Sequence, residues 1–389
     1  MRIALVVIDS GGIGAAPDAA RFGDAGASTI HHALEAHPVP LPHLAAMGLG
    51  ALTALPGTRR APLHGSARRL HPRAAGKDTL AGHWEMMTEV VAEPFPTYPH
   101  GFPGEVRAEL EKAFGRPLLG NRPASGTAII QDLGAEHIKT GRPIVYTSAD
   151  SVLQIAAHEE VVALNQLYAW CRAARAIMTG RHRVGRIIAR PFVGRPGAFV
   201  RTPHRHDYAV APGPGIFTAV LEAAGVETVA IGKIWDIFSG IGFGSPHPTA
   251  SNADGLQATL TALRGVGDRA LVFTNLVDFD SHFGHRRDPR GYAEALSELD
   301  AWVPEALAAL GPDDQLWITA DHGCDPTWRG SDHTREDSPL IIAGPEVAAN
   351  VLHPGDTLAD IAATLADAFQ VAPPGVGRSV WREVTTTDE

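Results

Sequence analysis

Cysteine is nearly absent: Cys171 and Cys324 are the only two in 389 residues. Two cysteines build no disulfide framework, so a reducing, cytoplasmic setting is the expectation. Long apolar runs are missing too, and nothing approaches the roughly 20 residues of a membrane span. The N-terminal apolar run, 3–8, is too short for the core of a signal peptide and ends in Asp9. There is no basic excess. Lys and Arg number 33 against 43 Asp and Glu, and the net charge of −10 argues against a general nucleic-acid surface. A local basic pocket remains open to it, because binding a phosphate needs only a few Arg or Lys. Internal repeats, long low-complexity tracts and the Walker spacing of a P-loop are also lacking. What remains is a globular composition, 44% hydrophobic and 20% charged, long enough for two or three domains. The expectation is a monomer or weak oligomer.

What is present is a set of ligand-type residues at the ends of strand-like runs. The run 316–320 stops at Asp321-His322-Gly323, and His333 follows His322 by eleven residues. The run 271–277 is followed by Asp280 and His285, and the run 3–8 by Asp9. Open α/β sheets place their active sites at the carboxyl ends of strands. Singly, each Asp or His reads equally well as a cap on a strand or helix end. Six together suffice for two metal ions, and a two-metal site points to phosphoryl chemistry. Mixed Asp and His donors suit Mn²⁺, Zn²⁺ or Fe²⁺ better than Ca²⁺, which prefers oxygen alone. The chain has 19 histidines, so their number decides nothing and their placement carries the argument.

The order of elements implies an α/β fold: a largely parallel sheet with helices on both faces, plus an inserted smaller α/β cap. A Pro- and Gly-rich run at 93–104 and a second at 211–215 interrupt the alternation. Between them the sequence predicts a strand at 144–147 and a second strand region through 187–189 and 192–193. It also predicts an amphipathic helix at 161–178, with Leu164, Leu167, Cys171, Ala174 and Met178 on one stripe. After the second break come a helix at 216–224, a strand at 226–231, a strand at 270–277, a helix at 291–310, strands at 315–320 and 340–342, and a helix at 358–369. All six ligand candidates lie outside the breaks. The expected division is therefore a discontinuous core, 1–95 with 213–389, and an inserted domain at 96–212. Residues 385–389 read as a frayed tail.

Two further constellations bear on chemistry. In Gly76-Lys77-Asp78-Thr79 a glycine-marked turn leads into a helix-compatible run, which puts Thr79 at a helix N-terminus where free N–H groups favour an anion. Taken alone, the segment suits an ordinary Thr N-cap at least as well. The inserted segment holds Arg183, Arg186, Arg190, Arg195, Arg201, Arg205 and His206, which suit either phosphate binding or a solvated basic face. Ser148-Ala149-Asp150-Ser151 follows a strand and suits sugar hydroxyls or a cap. Lys233, just after the strand 226–231, faces the side of the ligand residues and is a phosphate-contact candidate.

Together these segments resemble the prokaryotic phosphopentomutase family of the alkaline-phosphatase-like superfamily. The likeness runs through Asp9-Ser10-Gly11-Gly12-Ile13-Gly14, Gly76-Lys77-Asp78-Thr79, Ser148-Ala149-Asp150-Ser151, Arg190-Pro191-Phe192-Val193-Gly194, 275–280, 284–288 and 332–336. It implies an alkaline-phosphatase-like core with two Mn²⁺ ions. Asp280, His285 and His333 would hold one, and Asp9, Asp321 and His322 the other. It further implies that Thr79 carries the phosphoryl group, that Asp150, Arg186, Arg201 and Lys233 contact substrate, and that a sugar 1,5-bisphosphate activates. The implied reaction interconverts ribose 1-phosphate and ribose 5-phosphate, and the deoxyribose pair, in nucleoside and pentose phosphate salvage. The implied partners are pentose phosphates, with no nucleic acid and no membrane. Two positions depart from the family: Met87-Thr88-Glu89 stands where a glycine is usual, and His31-His32 where Gly-His is usual. Neither touches a proposed ligand, so both bear on local packing. Alternatives with the same core are a phosphatase or phosphodiesterase, which the long Arg-bearing cap disfavours, and a phosphoglycerate mutase of the cofactor-independent kind, which has Ser where this chain has Thr79. A metal-binding module without catalysis is disfavoured by the complete nucleophile-plus-ligand set.

Overall fold

The structure is a computed structural model that describes residues 1–148 and 151–385. Asp150, expected to contact substrate, and most of the expected C-terminal tail lie outside the described residues. The chain divides into two compact units, residues 1–93 with 212–389, and residues 94–211.

The larger unit is built on an eight-stranded sheet. Its strand order is Pro246–His247, Glu227–Ile231, Ala270–Leu276, Arg2–Ile8, Gln315–Ala320, Ser338–Ala343, Ser66–Leu70 and Asn350–Val351. The first five run parallel, and Ser338–Ala343 is antiparallel to both of its neighbours. Arg2–Ile8 lies centrally and is apolar on both faces, as a strand sandwiched by helices must be. Its Ala4, Val6 and Ile8 pack with the helices Thr29–Ala36, Pro42–Met47, Asn252–Gly265 and Pro289–Ala308. The alternating Ile3, Leu5 and Val7 face the other way and are equally buried. On that side Leu5 sits in register with Phe273, whose ring meets Phe238 and His83.

Register places the site. Ile8 is aligned with Leu276 on one side and Ala320 on the other. The residues that follow, Asp9, the 277–280 segment and Asp321, therefore leave the sheet at one level. Ile231 is aligned with Thr274, which brings Gly232 and Lys233 to nearly the same edge.

The smaller unit has its own six-stranded mixed sheet: Leu119–Pro123, Ile144–Thr147, Val152–His158, Arg186–Val193 and Val200–Arg201 in that order, with His206–Ala209 also paired to Arg186–Val193. Helices Gly104–Phe114 and Leu164–Ile177 cover one face through Val106, Leu110, Leu167, Trp170, Cys171 and Ala174. Helix Gly126–Thr140 covers part of the other through Ile129 and Ile130. The expected strand region through 187–189 and 192–193 is the strand Arg186–Val193, which continues through Pro191. The expected helix at 161–178 begins later, at Leu164, because the chain turns at His158, whose carbonyl takes the N–H groups of Val161 and Val162.

Candidate metal centre and active site

The strand ends deliver their carboxylates into one buried place. Asp9 is fully buried, and Asp321, His322 and Asp280 nearly so. Ligand atoms of Asp9, Asp321 and His322 lie within 4.8 Å of one another, and so do those of Asp280, His322 and His333. His322 Nε2 is 3.5 Å from Asp9 Oδ1 and 3.3 Å from Asp321 Oδ2. His333 Nε2 is 3.3 Å from Asp280 Oδ1, and His285 Nε2 is 3.4 Å from Asp280 Oδ2. The six expected ligands thus converge, with His322 reaching both groups.

Each of the three imidazoles is aimed by a backbone carbonyl. His285 Nδ1 donates to Ser331 O at 2.7 Å, His322 Nδ1 to Gly323 O at 3.0 Å, and His333 Nδ1 to Lys77 O at 2.9 Å. A carbonyl on Nδ1 fixes the proton there and presents a bare Nε2 lone pair inward, the usual arrangement of a metal-ligating histidine. The carboxylates show the complementary sign. Asp9 Oδ1, Asp280 Oδ1 and Asp321 Oδ2 are buried and accept no hydrogen bond. A buried carboxylate oxygen with no donor is unfavourable, and a cation is the partner that suits it. The donor set therefore fits bound divalent cations.

Electrostatics agree. Burial, reinforced by the Asp321 and Asp280 carboxylates, raises Asp9 well above the ordinary carboxylate range, while Lys233 and Asn275 pull it down. Burial would also raise Asp321 and Asp280. Instead His322 and His83 hold Asp321 down at about 2, and His333, His285 and His322 hold Asp280 far below its usual value. Burial brings His322 down to about 4 in spite of Asp321. At His333 burial is overridden by Asp280, Asp332 and Asp78, which push it up to about 9, so without an ion its Nε2 carries a proton that a bound cation displaces. Three crowded carboxylates repel one another, and bound cations relieve that repulsion.

Thr79 stands at the edge of this cluster, its Oγ1 3.3 Å from His322 Nε2. It is the first residue of helix Thr79–Met86, and the N-cap is Asp78, whose side chain accepts from Ala81 N at 3.2 Å. Asp78 does the capping, which frees the Thr79 hydroxyl for other work. The helix presses directly on the Asp321 backbone: a Cβ on Gly82 would lie 2.2 Å from Asp321 O, so only glycine permits the approach.

Supporting residues escaped the sequence reading. His83 is fully buried, with Nδ1 2.9 Å from Thr79 O and 3.2 Å from Asp321 Oδ2. Asn275 donates to Asp9 Oδ2 at 3.2 Å. Arg335 spends all five of its N–H donors on Asp18 and on the carbonyls of Pro72, Ala74 and Gly76, which fixes the loop leading to Thr79. The Cys324 thiol, raised by burial, lies 3.8 Å from His285 Nδ1. Spacing in the sequence carries no sign of these contacts, because each partner is distant along the chain.

Among the substrate candidates, Lys233 belongs to this unit and its charge acts on Asp9. Arg186 and Arg201 belong to the smaller unit. Arg186 lies 3.9 Å from Asp207, and Arg201 is exposed at the end of a short edge strand. Arg205 is engaged with Asp207 by two contacts of 2.6 Å, and Arg190 donates to Gln154 at 3.0 Å.

Comparison with known proteins decides the family. Residues 1–373 match the metalloenzyme superfamily. The chain is 50% identical to the phosphopentomutase of Caldanaerobacter subterraneus subsp. tengcongensis, over 98% of each chain. It is 49% identical to that of Deinococcus radiodurans, over 99% of this chain and all of the relative. The chain belongs to the phosphopentomutase family. Membership gives the site its frame: a phosphopentomutase-family chain of the metalloenzyme superfamily with an α/β core. A third phosphopentomutase, from Alkaliphilus metalliredigens, is 48% identical over 97% of each chain.

Proposed function

We propose that the protein interconverts ribose 1-phosphate and ribose 5-phosphate, and the 2-deoxyribose pair, by passing a phosphoryl group through Thr79. The observation that carries the reading is the Thr79 hydroxyl, 3.3 Å from His322 Nε2 beside six converging ligands, in a chain of the phosphopentomutase family. We assign two Mn²⁺ ions, one to Asp280, His285 and His333 and the other to Asp9, Asp321 and His322. When bound, they supply Lewis acidity to the transferring phosphoryl group and to the Thr79 hydroxyl.

The residues of the chain do the rest. Thr79 holds the phosphoryl group at the helix N-terminus, where the first-turn N–H groups favour negative charge. The free hydroxyl of a bound sugar monophosphate takes that phosphoryl group. The P–Oγ1 bond breaks, the new P–O bond forms on the sugar, and the proton from the sugar hydroxyl ends on Thr79. The product is a 1,5-bisphosphate. The reverse step, from the other end of the same sugar, reloads Thr79 and releases the isomeric monophosphate. A shuttle of this kind needs only one site of phosphoryl transfer, because the sugar turns end for end in front of Thr79. Asp150, Arg186, Arg201 and Lys233 are the residues we assign to hold the sugar and its second phosphate. Added 1,5-bisphosphate primes a dephosphorylated enzyme.

The test is turnover of ribose 1-phosphate with Mn²⁺, following ribose 5-phosphate and free phosphate together. Thr79→Ala should abolish interconversion yet keep its metal. Near-normal turnover by that variant would overturn the carrier assignment, and free phosphate as the main product would make the protein a hydrolase.

A further inference from the structure

His333 differs from the other inward-facing imidazoles because the carbonyl that aims it belongs to the loop carrying Thr79. Its Nδ1 donates to Lys77 O at 2.9 Å, and Thr79 follows two residues later. The Lys77 side chain then returns to the His333 loop. Its Nζ lies 3.0 Å from Asp24 Oδ2 and 3.3 Å from Asp332 Oδ2. Asp332 immediately precedes His333 and accepts from the His333 N–H at 2.9 Å. Asp24 Oδ2 also accepts from Arg335 N at 2.9 Å, two residues beyond His333. One ammonium therefore grips both flanks of His333, while the same residue's carbonyl sets the ring. Asp24 is buried, so its ion pair is sheltered from water.

The other histidine acceptors are Ser331 O for His285 and Gly323 O for His322. Ser331 adjoins Asp332 and so sits on the gripped loop, whereas Gly323 follows the strand Gln315–Ala320 and meets that loop across a bridge, Gly323 N donating to Thr334 O at 3.2 Å and Thr334 N to Gly323 O at 2.8 Å. The consequence of losing the ammonium is thus uneven. Asp24 would keep a buried carboxylate without its counter-charge, and the acceptors of His333 and His285 would loosen together. The acceptor of His322, carried at the end of its own strand, would shift less.

We propose that Lys77 is a positioning residue whose ammonium sets His333 and His285 for cation binding, so that the Asp280–His285–His333 ion depends on Lys77 far more than the Asp9–Asp321–His322 ion does. This rests on the two-cation reading above. Loss of an outer partner of a ligating histidine typically weakens metal binding about 10- to 100-fold.

Metal-free wild type, Lys77→Met, Lys77→Arg and Asp332→Asn are titrated with Mn²⁺. Free ion is followed by electron paramagnetic resonance, and thermal unfolding checks the fold. The wild type should take up two ions. Lys77→Met should bind one of them nearly as the wild type does and the other at least about 10-fold more weakly. Lys77→Arg should recover most of that loss. Asp332→Asn, which changes an exposed side chain and decides the matter if Lys77→Met does not fold, should weaken the same ion to a lesser degree. Equal weakening of both ions, unchanged binding in Lys77→Met or Asp332→Asn, or no recovery with arginine would each overturn the proposal. A wild type that takes up fewer than two ions would overturn the two-cation reading itself, whatever the variants do.

Discussion

Thr88 holds a left-handed backbone, φ 83°, at a place where β-branched residues are rarely found. The reason is the end of the helix that carries Thr79. Thr88 N donates to Glu85 O at 3.0 Å and Glu89 N to Trp84 O at 2.8 Å, a Schellman closure whose left-handed residue is ordinarily glycine. Thr88 falls within Met87-Thr88-Glu89, where the family resemblance leads one to expect a glycine, and its left-handed backbone carries strain. Left-handed geometry costs a non-glycine residue about 1–2 kcal/mol, and glycine returns about 0.5–1 kcal/mol of that as chain entropy. Thr88→Gly should therefore stabilise the protein by up to about 1 kcal/mol. The expected reading is a higher urea midpoint with an unchanged slope, and a lower midpoint would show that the Thr88 side chain contributes more than its backbone loses. At this scale the sequence reveals residue types well and contacts poorly. Asp9, Asp280 and Asp321 are legible because an apolar strand that ends in a carboxylate is an unusual pattern. His83, Asn275 and Arg335 are not, because their partners are brought in by the fold.

At the scale of elements, His137 joins the helix Gly126–Thr140 to the strand Val152–His158. It is fully buried, its Nδ1 donates to Arg142 O at 2.7 Å, and its Nε2 accepts from His158 N at 2.9 Å. That pair of bonds requires the neutral ring, since a proton on Nε2 would face the His158 N–H. Burial lowers the His137 pKa, and His158 and Arg116 add to the fall against the Arg142 carbonyl. The unfolded chain therefore binds more protons than the folded one below the ordinary histidine value of about 6.5. The stability that His137 contributes is complete above that value and declines as pH falls through its folded pKa. Unfolding of the smaller unit should show this decline, and His137→Gln, which can accept from His158 N without titrating, should flatten it. An equally steep profile in the variant would place the titration elsewhere. Elements were legible where burial is one-sided or wholly apolar, as in Arg2–Ile8 and Pro289–Ala308. The strand Ser66–Leu70 was not, because it carries Arg68 and Arg69 inside a sheet. Arg68 is satisfied by Asp360 at 3.2 Å and His353 O at 2.9 Å, and Arg69 by Asp337 at 2.9 Å, and no local pattern announces such distant partners. Val152–His158 was missed for a similar reason, since Gln154 and His158 break its apolar run.

At the scale of the whole molecule, the chain leaves the larger unit once and returns once, and the ends of the excursion are tied within the smaller unit. Ser151 Oγ donates to Pro96 O at 2.6 Å and accepts from Gly185 N at 3.2 Å, and Val210 N donates to Gly185 O at 2.9 Å. Residues near both borders are thereby gathered about Ser151 and Gly185, so excision leaves two neighbouring ends. Each unit has a sheet and a hydrophobic core built from its own residues, which is the physical requirement for independent folding. The segment 94–211, made alone, should unfold cooperatively. The larger unit, with that segment replaced by a short flexible linker, should stay folded and take up metal, because the six converging ligands all belong to it. On the proposed assignments it should not interconvert pentose phosphates, since Arg186 and Arg201 leave with the smaller unit. Calorimetry of each piece, metal analysis of the larger one and turnover with ribose 1-phosphate check the three expectations separately. Interconversion by the larger unit alone would remove Arg186 and Arg201 from the reaction, whereas loss of its metal would mean that the smaller unit supports the ligand cluster as well as the substrate.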